Sequence, residues 1–461
     1  MLTRKMTMLK IFNYSKIILS ILAFFLISES VSAIEEPVAI DLYQSIVYQG
    51  CITFDDVVQK AKEHSYDLQI ADFNTLISKQ DIRSARSEYF PKLSLSAGTE
   101  YTKNYRDVKD TTVMSIGEAF INPYTRYQSL LGITLSYNLF DFGVRRGNLD
   151  IAKEEVSLKE LERKQKLQEL NLNLVDTYAK ILISKKQIDL NKEILDIEQT
   201  NLKLKTRLYR AREISRTDFN DAKIRVEKTK QKVKELEGIL AESLEWLSFY
   251  TGEKYDMNNL QIEDMQKAEF SSSTDYRKSL VWRVYERQIK KKSLELKVAK
   301  RNYLPKVSAY SRYYLYGSNY NSYNSALGNI EPSNFTVGAM ANMPIFDGFK
   351  NSSLVQKTSL ELEQLKVERD KAVAQHIMRL NIMQNNLTYL DEQINNNKEI
   401  INELQDKSTS TKRLASRRLI SPVEQNETKI ELLNEQIEFE KNMITLVSIT
   451  KGLQILTEDQ I

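Results

Sequence analysis

The residues whose type and spacing are best suited to chemistry are two glutamates, Glu424 and Glu427. They lie three positions apart in a segment with helical periodicity, so both carboxylates are expected on one face of a helix. Carboxylates grouped in this way attract cations and repel anions. A glutamate in the first turns of a helix also complements the helix dipole without any further role. The sequence leaves both interpretations open.

Residues that commonly catalyse reactions or bind metals do not form recognisable groups. The two histidines, His64 and His376, fall on separate predicted helices, where a solvated position is the ordinary interpretation. The sequence contains no nucleophile flanked by glycines, no HExxH motif and no phosphate-binding glycine loop. We therefore predict that the chain is not an enzyme and uses no cofactor and no metal.

Residues 1–33 have the pattern of a secretory signal peptide, with basic residues, an apolar run at 17–27 and small residues up to Ala33. Removing them lowers the formal net charge from +4 to about +1, which gives no electrostatic reason to expect nucleic-acid binding. The single cysteine, Cys51, cannot form an internal disulfide. Only 13 glycines and 7 prolines occur in 461 residues, so we expect long uninterrupted helices.

An internal repeat organises the chain. Phe140-Asp141 recurs as Phe346-Asp347, and Ile214-Ser215 recurs as Ile420-Ser421, both at an offset of 206 residues. A third pair, Pro91-Lys92 and Pro305-Lys306, has an offset of 214. The difference indicates a loop of variable length between the Pro-Lys and Phe-Asp motifs. Asp218 is the equivalent of Glu424 in the first copy.

Apolar residues at strict intervals of seven predict coiled-coil packing in the longest segment of each repeat. These segments, about 149–212 and 353–418, would each span on the order of 95 Å as helices. Shorter helices are predicted at about 54–88, 217–249, 276–302 and 422–452. Two short helices stacked end to end could flank each long one.

Between the Pro-Lys and Phe-Asp motifs of each repeat the apolar residues alternate, which predicts two half-buried strands. Strands of this length with an apolar face and terminal aromatic residues are typical of a transmembrane β-barrel. A small soluble sheet capping a coiled coil is the alternative. Four strands cannot close a barrel, so a barrel requires further copies of the chain. The tyrosine-rich interval from Tyr310 to Tyr323 is expected at or beyond the extracellular rim.

The duplicated order resembles the TolC family of outer-membrane efflux and secretion channels. In each repeat a helix, Tyr-x-Pro-Lys, a strand hairpin, Phe-Asp-x-Gly, a long helix, a turn and a returning helix follow one another, over nearly all of the chain after residue 33. The chain departs from the family pattern because neither turn contains the usual glycine. It also lacks a proline at Asn138-Leu139-Phe140, although Met343-Pro344-Ile345-Phe346 retains one.

The resemblance implies a fold that is mainly α with membrane β, in which a trimeric β-barrel continues into a periplasmic α-helical barrel. It divides the chain into a segment at 34–53, a first repeat at 54–250 (hairpin about 91–140), an equatorial linker at 251–275, a second repeat at 276–452 (hairpin about 305–346) and a C-terminal segment at 453–461. It also implies a homotrimer in the outer membrane of a Gram-negative bacterium, with most of the chain in the periplasm.

The same resemblance implies roles for particular residues and partners. Ile214, Ser215, Ile420 and Ser421 would form the hairpin tips, which face a periplasmic adaptor protein and an inner-membrane RND or ABC transporter. Glu424 and Glu427 match the acidic pair at the periplasmic entrance of the duct. Two rival functions remain, a periplasmic adaptor and a structural coiled-coil protein of the periplasm or surface. The first would need β-rich domains, and the second leaves the duplicated strands unexplained.

Overall fold

A computed structural model describes residues 51–103, 114–116, 119–121, 127–257, 261–269 and 275–457. The predicted signal peptide, most of the segment at 34–53 and the last four residues lie outside the described residues. Within the described ranges, none of the helices combines the length and the hydropathy that a membrane-spanning helix needs.

Two very long helices and six shorter ones make up most of the described chain. The helices are α1 (Phe54–His64), α2 (Tyr66–Ser87), α3 (Val144–Arg210), α4 (Arg216–Thr251), α5 (Leu280–Arg301), α6 (Tyr323–Gly328), α7 (Lys350–Ser416) and α8 (Pro422–Thr457). The long helices α3 and α7 have 67 residues each, which corresponds to a length of about 100 Å. Apart from α6, the helices follow the predicted order.

The strands form one four-stranded antiparallel sheet and two small pairs. The strands are β1 (Cys51–Ile52), β2 (Lys92–Tyr101), β3 (Met114–Ile116), β4 (Ala119–Ile121), β5 (Tyr127–Phe140), β6 (Gln261–Ile262), β7 (Lys306–Asn319) and β8 (Glu331–Asn342). The order in the large sheet is β2-β5-β7-β8. The first hairpin of the sheet therefore comes from the first repeat and the second from the second repeat.

The structure differs from the sequence-based predictions in several places. The predicted helix at 54–88 is two helices, because the Ser65 hydroxyl accepts a hydrogen bond from the Leu68 N–H (3.4 Å) and starts a new helix. The last helix continues to Thr457 rather than 452. Tyr310 and Tyr316 belong to strand β7, so only the part of the tyrosine-rich interval after Asn319 lies beyond this strand.

The linker at 251–275 is fastened to the start of the chain. Its strand β6 pairs in parallel with β1, and the Tyr178 hydroxyl of α3 lies 2.9 Å from the Ile52 carbonyl oxygen and 2.8 Å from that of Glu263. Burial raises the pKa of this hydroxyl. Tyr178 belongs to the main hydrophobic core, which joins α1, α3 and α4 at this level.

The helices form a layer four columns wide. Helix α3 packs against α2 and α5 along one half of its length and against α4 and α8 along the other. Helix α7 packs against α5 and α8. The columns are therefore α2 with α4, then α3, then α5 with α8, then α7. This order matches the strand order above it, since each repeat supplies two neighbouring strands and two neighbouring columns.

Candidate functional site

The four-stranded sheet has two chemically different faces. Paired residues on neighbouring strands share a face, so the registers place Leu95, Ile133 and Tyr313 on the same side as Phe335 and Val337. Leu95, Phe335 and Val337 are about two-thirds exposed (67%, 69% and 68%). Large exposed apolar side chains on one face of a sheet indicate that lipid or another protein covers this face.

The opposite face carries all the charged residues of this sheet. They are Lys92, Glu100, Lys306, Arg312 and Glu331, and the pairing registers align them with residues such as Gln128, Thr134 and Ser136. Arg312 stacks on the Tyr310 ring, with its guanidinium carbon 4.1 Å from the ring centroid. An apolar face and a polar, charged face are the arrangement of a barrel wall between lipid and a water-filled lumen.

Both sides of the sheet end in a strand with one neighbour only. Strands β2 and β8 each pair on one side, and β2 is exposed along its whole length. Unpaired backbone groups of an edge strand are a template for pairing with another chain. The sheet of one chain is therefore incomplete at both edges.

The helical layer is incomplete at the same two edges. In α3 twenty of 67 residues are buried, whereas in α7, at the outer edge, only five of 67 are buried. The exposed apolar residues of α7 include Leu360, Val367, Met378, Ile382 and Tyr389; those of the opposite edge, α2 with α4, include Ile70, Phe73, Ile77, Trp246 and Phe249. Two different exposed apolar edges on one chain favour head-to-tail association of copies.

The Phe-Asp motifs connect the sheet to the long helices. The Asp141 carboxylate accepts hydrogen bonds from the Gly143 N–H (3.0 Å) and the Arg145 N–H (3.1 Å), and it pairs with the Arg145 guanidinium at 2.8 Å. Asp347 accepts from the Asn351 N–H (3.0 Å). Each aspartate thus satisfies free N–H groups at the start of a long helix. The Arg145 pairing has no counterpart at Asn351.

The remaining motif residues lie where the chain passes between sheet and helices. Pro91 and Pro305 each precede the first residue of a strand, where the missing N–H is tolerated. Phe140 and Phe346 are exposed, and each ring lies against a second phenylalanine, Phe142 or Phe349. Both of those neighbours have positive φ, which turns the backbone sharply at the junction.

At the other end of the long helices the two tips are tight turns. Arg212 (φ 62°) and Arg418 (φ 59°) adopt the left-handed conformation. Beyond them, the Glu213 N–H donates to the Leu208 carbonyl (2.9 Å) and the Leu419 N–H to the Leu414 carbonyl (3.0 Å). These contacts end each helix in a Schellman motif. An arginine therefore occupies the position where the usual glycine is absent.

Ser215 and Ser421 begin the returning helices. The Ser215 hydroxyl accepts from the Asp218 N–H (3.0 Å) while the Asp218 carboxylate accepts from the Ser215 N–H (3.2 Å), which is a capping box. The Ser215 hydroxyl also donates to the Asp218 carboxylate (2.7 Å), and this hydrogen bond, together with that from the Ser215 N–H, lowers the pKa of Asp218. The Ser421 hydroxyl accepts from the Glu424 N–H (3.1 Å). Ile214 and Ile420, the residues before these serines, are half-buried.

The two glutamates of the second repeat differ in their surroundings. Glu427 pairs with Arg225 of α4 at 3.3 Å, which joins the two returning helices. The Glu424 carboxylate is exposed and makes no ion pair within the described part of the chain. The two side chains lie in consecutive turns of α8, at the end of the layer farthest from the sheet.

A third carboxylate, Glu198 of α3, faces the same two helices and was not predicted from the sequence. It is 6% exposed, and no hydrogen bond or ion pair of its carboxylate occurs among the described residues. Burial raises the pKa of Glu198, the nearby Arg225 opposes this, and the Glu427 carboxylate adds to it. The sequence pattern does not predict the role of Glu198, because Glu198 and Arg225 come close only when α3 and α4 pack together.

The two histidines lie apart from this cluster. His64 ends α1, and its ring contacts that of Tyr66 (5.2 Å between centroids). His376 borders a cavity of about 770 Å³ that is lined by α2, α3, α5, α7 and the end of α8. Burial and the nearby Arg379 lower the pKa of His376. Among the residues that the structure describes, no cluster of His, Cys, Asp and Glu could hold a metal ion.

A known protein family and several solved structures are similar to this chain. The family model described as outer membrane efflux protein matches residues 57–253. Similar solved structures include CusC (TM-score 0.71, 14% identity, 90% of this chain and 94% of that chain), VceC from Vibrio cholerae (0.70, 14%, 87% and 94%) and the CmeC outer membrane channel of Campylobacter jejuni (0.68, 13%, 87% and 86%). At sequence identities as low as these, the structural similarity shows that the fold is shared. No curated protein sequence matches the chain.

Proposed function

We propose that this chain, which belongs to the TolC family of outer membrane efflux proteins, forms one exit duct from three copies, with a charged entrance. The protein is an outer-membrane efflux channel with a large periplasmic helical part. It is a passive conduit and not an enzyme. Members of the family form trimeric channels that work with an adaptor and an inner-membrane transporter.

The observation that carries the trimer proposal is the pair of incomplete edges. Strand β8 of one copy pairs with β2 of the next, and the exposed apolar residues of α7 pack against α2 and α4 of that neighbour. Three sheets of four strands give a closed barrel with no free edge. Twelve helical columns continue below it as a tunnel. The domain division at 54–250 and 276–452 follows from the same repeat.

Two further roles complete the proposal. The turns at Ile214-Ser215 and Ile420-Ser421 face a periplasmic adaptor, and the transporter behind it is of the RND or ABC type. Glu424 and Glu427 line the entrance, where threefold symmetry brings six carboxylates toward one axis. Like charges held close together disfavour the closed state and bind cations. The unpaired Glu424 contributes more to this field than Glu427, which Arg225 partly neutralises.

Single-channel recording in planar bilayers tests this function. The wild-type protein should conduct ions with cation selectivity and be blocked by multivalent cations. Glu424→Gln should remove most of the selectivity and the block. Glu427→Gln should change selectivity less and raise the open probability, because it also breaks the contact between α4 and α8. The control Glu242→Gln makes the same charge change on α4, far from the tips.

The possible outcomes of this experiment test the channel function and the entrance assignment separately. A protein that never conducts would refute the channel function. A conducting protein whose selectivity and block are unchanged in the Glu424→Gln, Glu427→Gln double variant would refute only the entrance assignment. A purely helical role for these residues predicts instead a stability loss of about 0.3 to 1 kcal/mol per residue with normal conductance.

A further inference from the structure

Exposed basic side chains without ion-pair partners gather at the two tips. Residues 207–216 include four arginines and one acidic residue, and residues 412–421 include one lysine, three arginines and no acidic residue. We call these the tip basic residues: Arg207, Arg210, Arg212, Arg216, Lys412, Arg413, Arg417 and Arg418. All eight are exposed, and within the described chain none makes an ion pair, whereas along the helices ion pairs are frequent.

Two of these arginines are kept in a strained conformation. Arg212 and Arg418 have positive φ in both repeats, a conformation that glycine adopts without steric cost and that arginine rarely adopts. Neither side chain contributes a hydrogen bond or ion pair to the turn it occupies. The Schellman hydrogen bonds of the backbone compensate this strain, so the turns do not depend on the arginine side chains, which remain available for contacts outside the chain.

The first tip is also held rigid. The Tyr209 and Phe219 rings stack across the turn with centroids 4.9 Å apart and an interplanar angle of 4°, and Lys223 lies over the Phe219 ring at 4.6 Å. The capping box at Ser215 fixes the start of the returning helix. A rigid turn presents its arginines in a defined direction, which lowers the entropy lost on binding.

We propose that the two tips bind an acidic surface of a partner protein, with Arg212 and Arg418 as the central contacts. The inference deepens the proposed function and rests on it, since the tips are the end of the duct that faces other proteins. Guanidinium groups bind carboxylates with two parallel hydrogen bonds. Glu213 and the exposed Leu419 (66%) beside them suit a protein surface of mixed chemistry better than a uniformly anionic membrane.

The test uses the detergent-purified full protein and two designed helical hairpins, one with glutamates in its loop and one with glutamines at the same positions. The glutamate hairpin should bind the wild-type protein about tenfold more tightly or better, and salt should reduce the difference. The Arg212→Gly, Arg418→Gly variant should lose the difference. Its melting temperature should not fall, because glycine accepts the left-handed conformation.

Two controls make the result specific. Lys228→Gln with Lys398→Gln removes equal charge from exposed, unpaired positions away from the tips, and should keep the preference. Arg212→Lys with Arg418→Lys keeps the charge but loses the planar fork, and should show an intermediate preference. Equal binding of the two hairpins, an unchanged preference in the glycine variant, or displacement of the glutamate hairpin by phosphatidylglycerol vesicles would overturn the proposal.

The experiment distinguishes failure of this proposal from failure of the channel assignment. The glycine variant should conduct in planar bilayers like the wild type, because the tip arginines lie outside the proposed entrance pair. Loss of hairpin binding with intact conductance supports the proposal. Absent conductance of the wild-type protein would refute the channel function whatever the hairpins do.

Discussion

Asp141 and Asp347 are equivalent residues of the two repeats that make different contacts. Asp141 is 5% exposed and holds the guanidinium of Arg145, which also donates to the Glu88 carbonyl (3.4 Å). Asp347 holds one backbone N–H, that of Asn351. The same motif thus contributes a partly buried ion pair in the first repeat and only a backbone hydrogen bond at the helix start in the second.

The two aspartates should therefore respond differently to the same change. Asp141→Asn leaves the partly buried Arg145 charge without its ionic partner, which should cost about 1.5 to 3 kcal/mol. Asp347→Asn removes only charge from a cap, and asparagine caps helices nearly as well as aspartate, so its cost should be a few tenths of a kcal/mol. Thermal unfolding of the two variants side by side checks this. Equal melting temperatures would show that the Arg145 pairing is immaterial.

At the scale of the element, the long helices are the part of the fold that sequence reasoning predicted best. Residues such as Leu174, Ile181 and Ile188, at intervals of seven, are all buried in α3. An apolar residue at every seventh position indicates that the helix packs along one continuous face. The predicted bounds at 149–212 and 353–418 differ by a few residues from Val144–Arg210 and Lys350–Ser416.

Features that depend on residues far apart in the sequence could not be predicted. The pairing of β1 with β6 and the contact of Tyr178 with both segments join parts of the chain that share no pattern. The Arg225–Glu427 ion pair links two helices of different repeats, 202 residues apart. The position of Glu424 and Glu427 on one helix face followed from local spacing, but the surroundings that distinguish them did not.

The hairpin of β7 and β8 gives a testable prediction of topology. Helix α6 connects these strands at the ends opposite to the long helices, and Asn324 is exposed on it. An epitope tag inserted at Asn324 should be labelled by antibody on intact cells. Asn319 suits a tag less well, because its side chain accepts hydrogen bonds from the Asn321 N–H (2.8 Å) and the Ser322 N–H (3.3 Å).

A tag inserted after Glu213, at the first tip, is the matched control for this experiment. It should be labelled only after the outer membrane is permeabilised, because the tips lie at the other end of the long helices. Labelling of the Asn324 tag that also requires permeabilisation would contradict the assignment of α6 to the cell surface.

At the scale of the whole molecule, one chain is a strip with two unsatisfied edges. The edge strands β2 and β8 and the edge helices continue one another, so a single neighbour on each side would cover both sheet and helices. When two different edges of the same chain associate head to tail, the copies form a closed ring if a whole number of the rotations between neighbouring copies completes one full turn. Four strands per copy give twelve strands for a ring of three.

The number of chains in the purified particle therefore tests the account most directly. We predict that native mass measurement of the detergent-solubilised protein gives one species with three times the mass of the processed chain. Because both edges of each chain are covered only in the ring, this species should persist on dilution. A stable monomer in detergent, with its apolar helical edge and edge strands uncovered, would contradict the account.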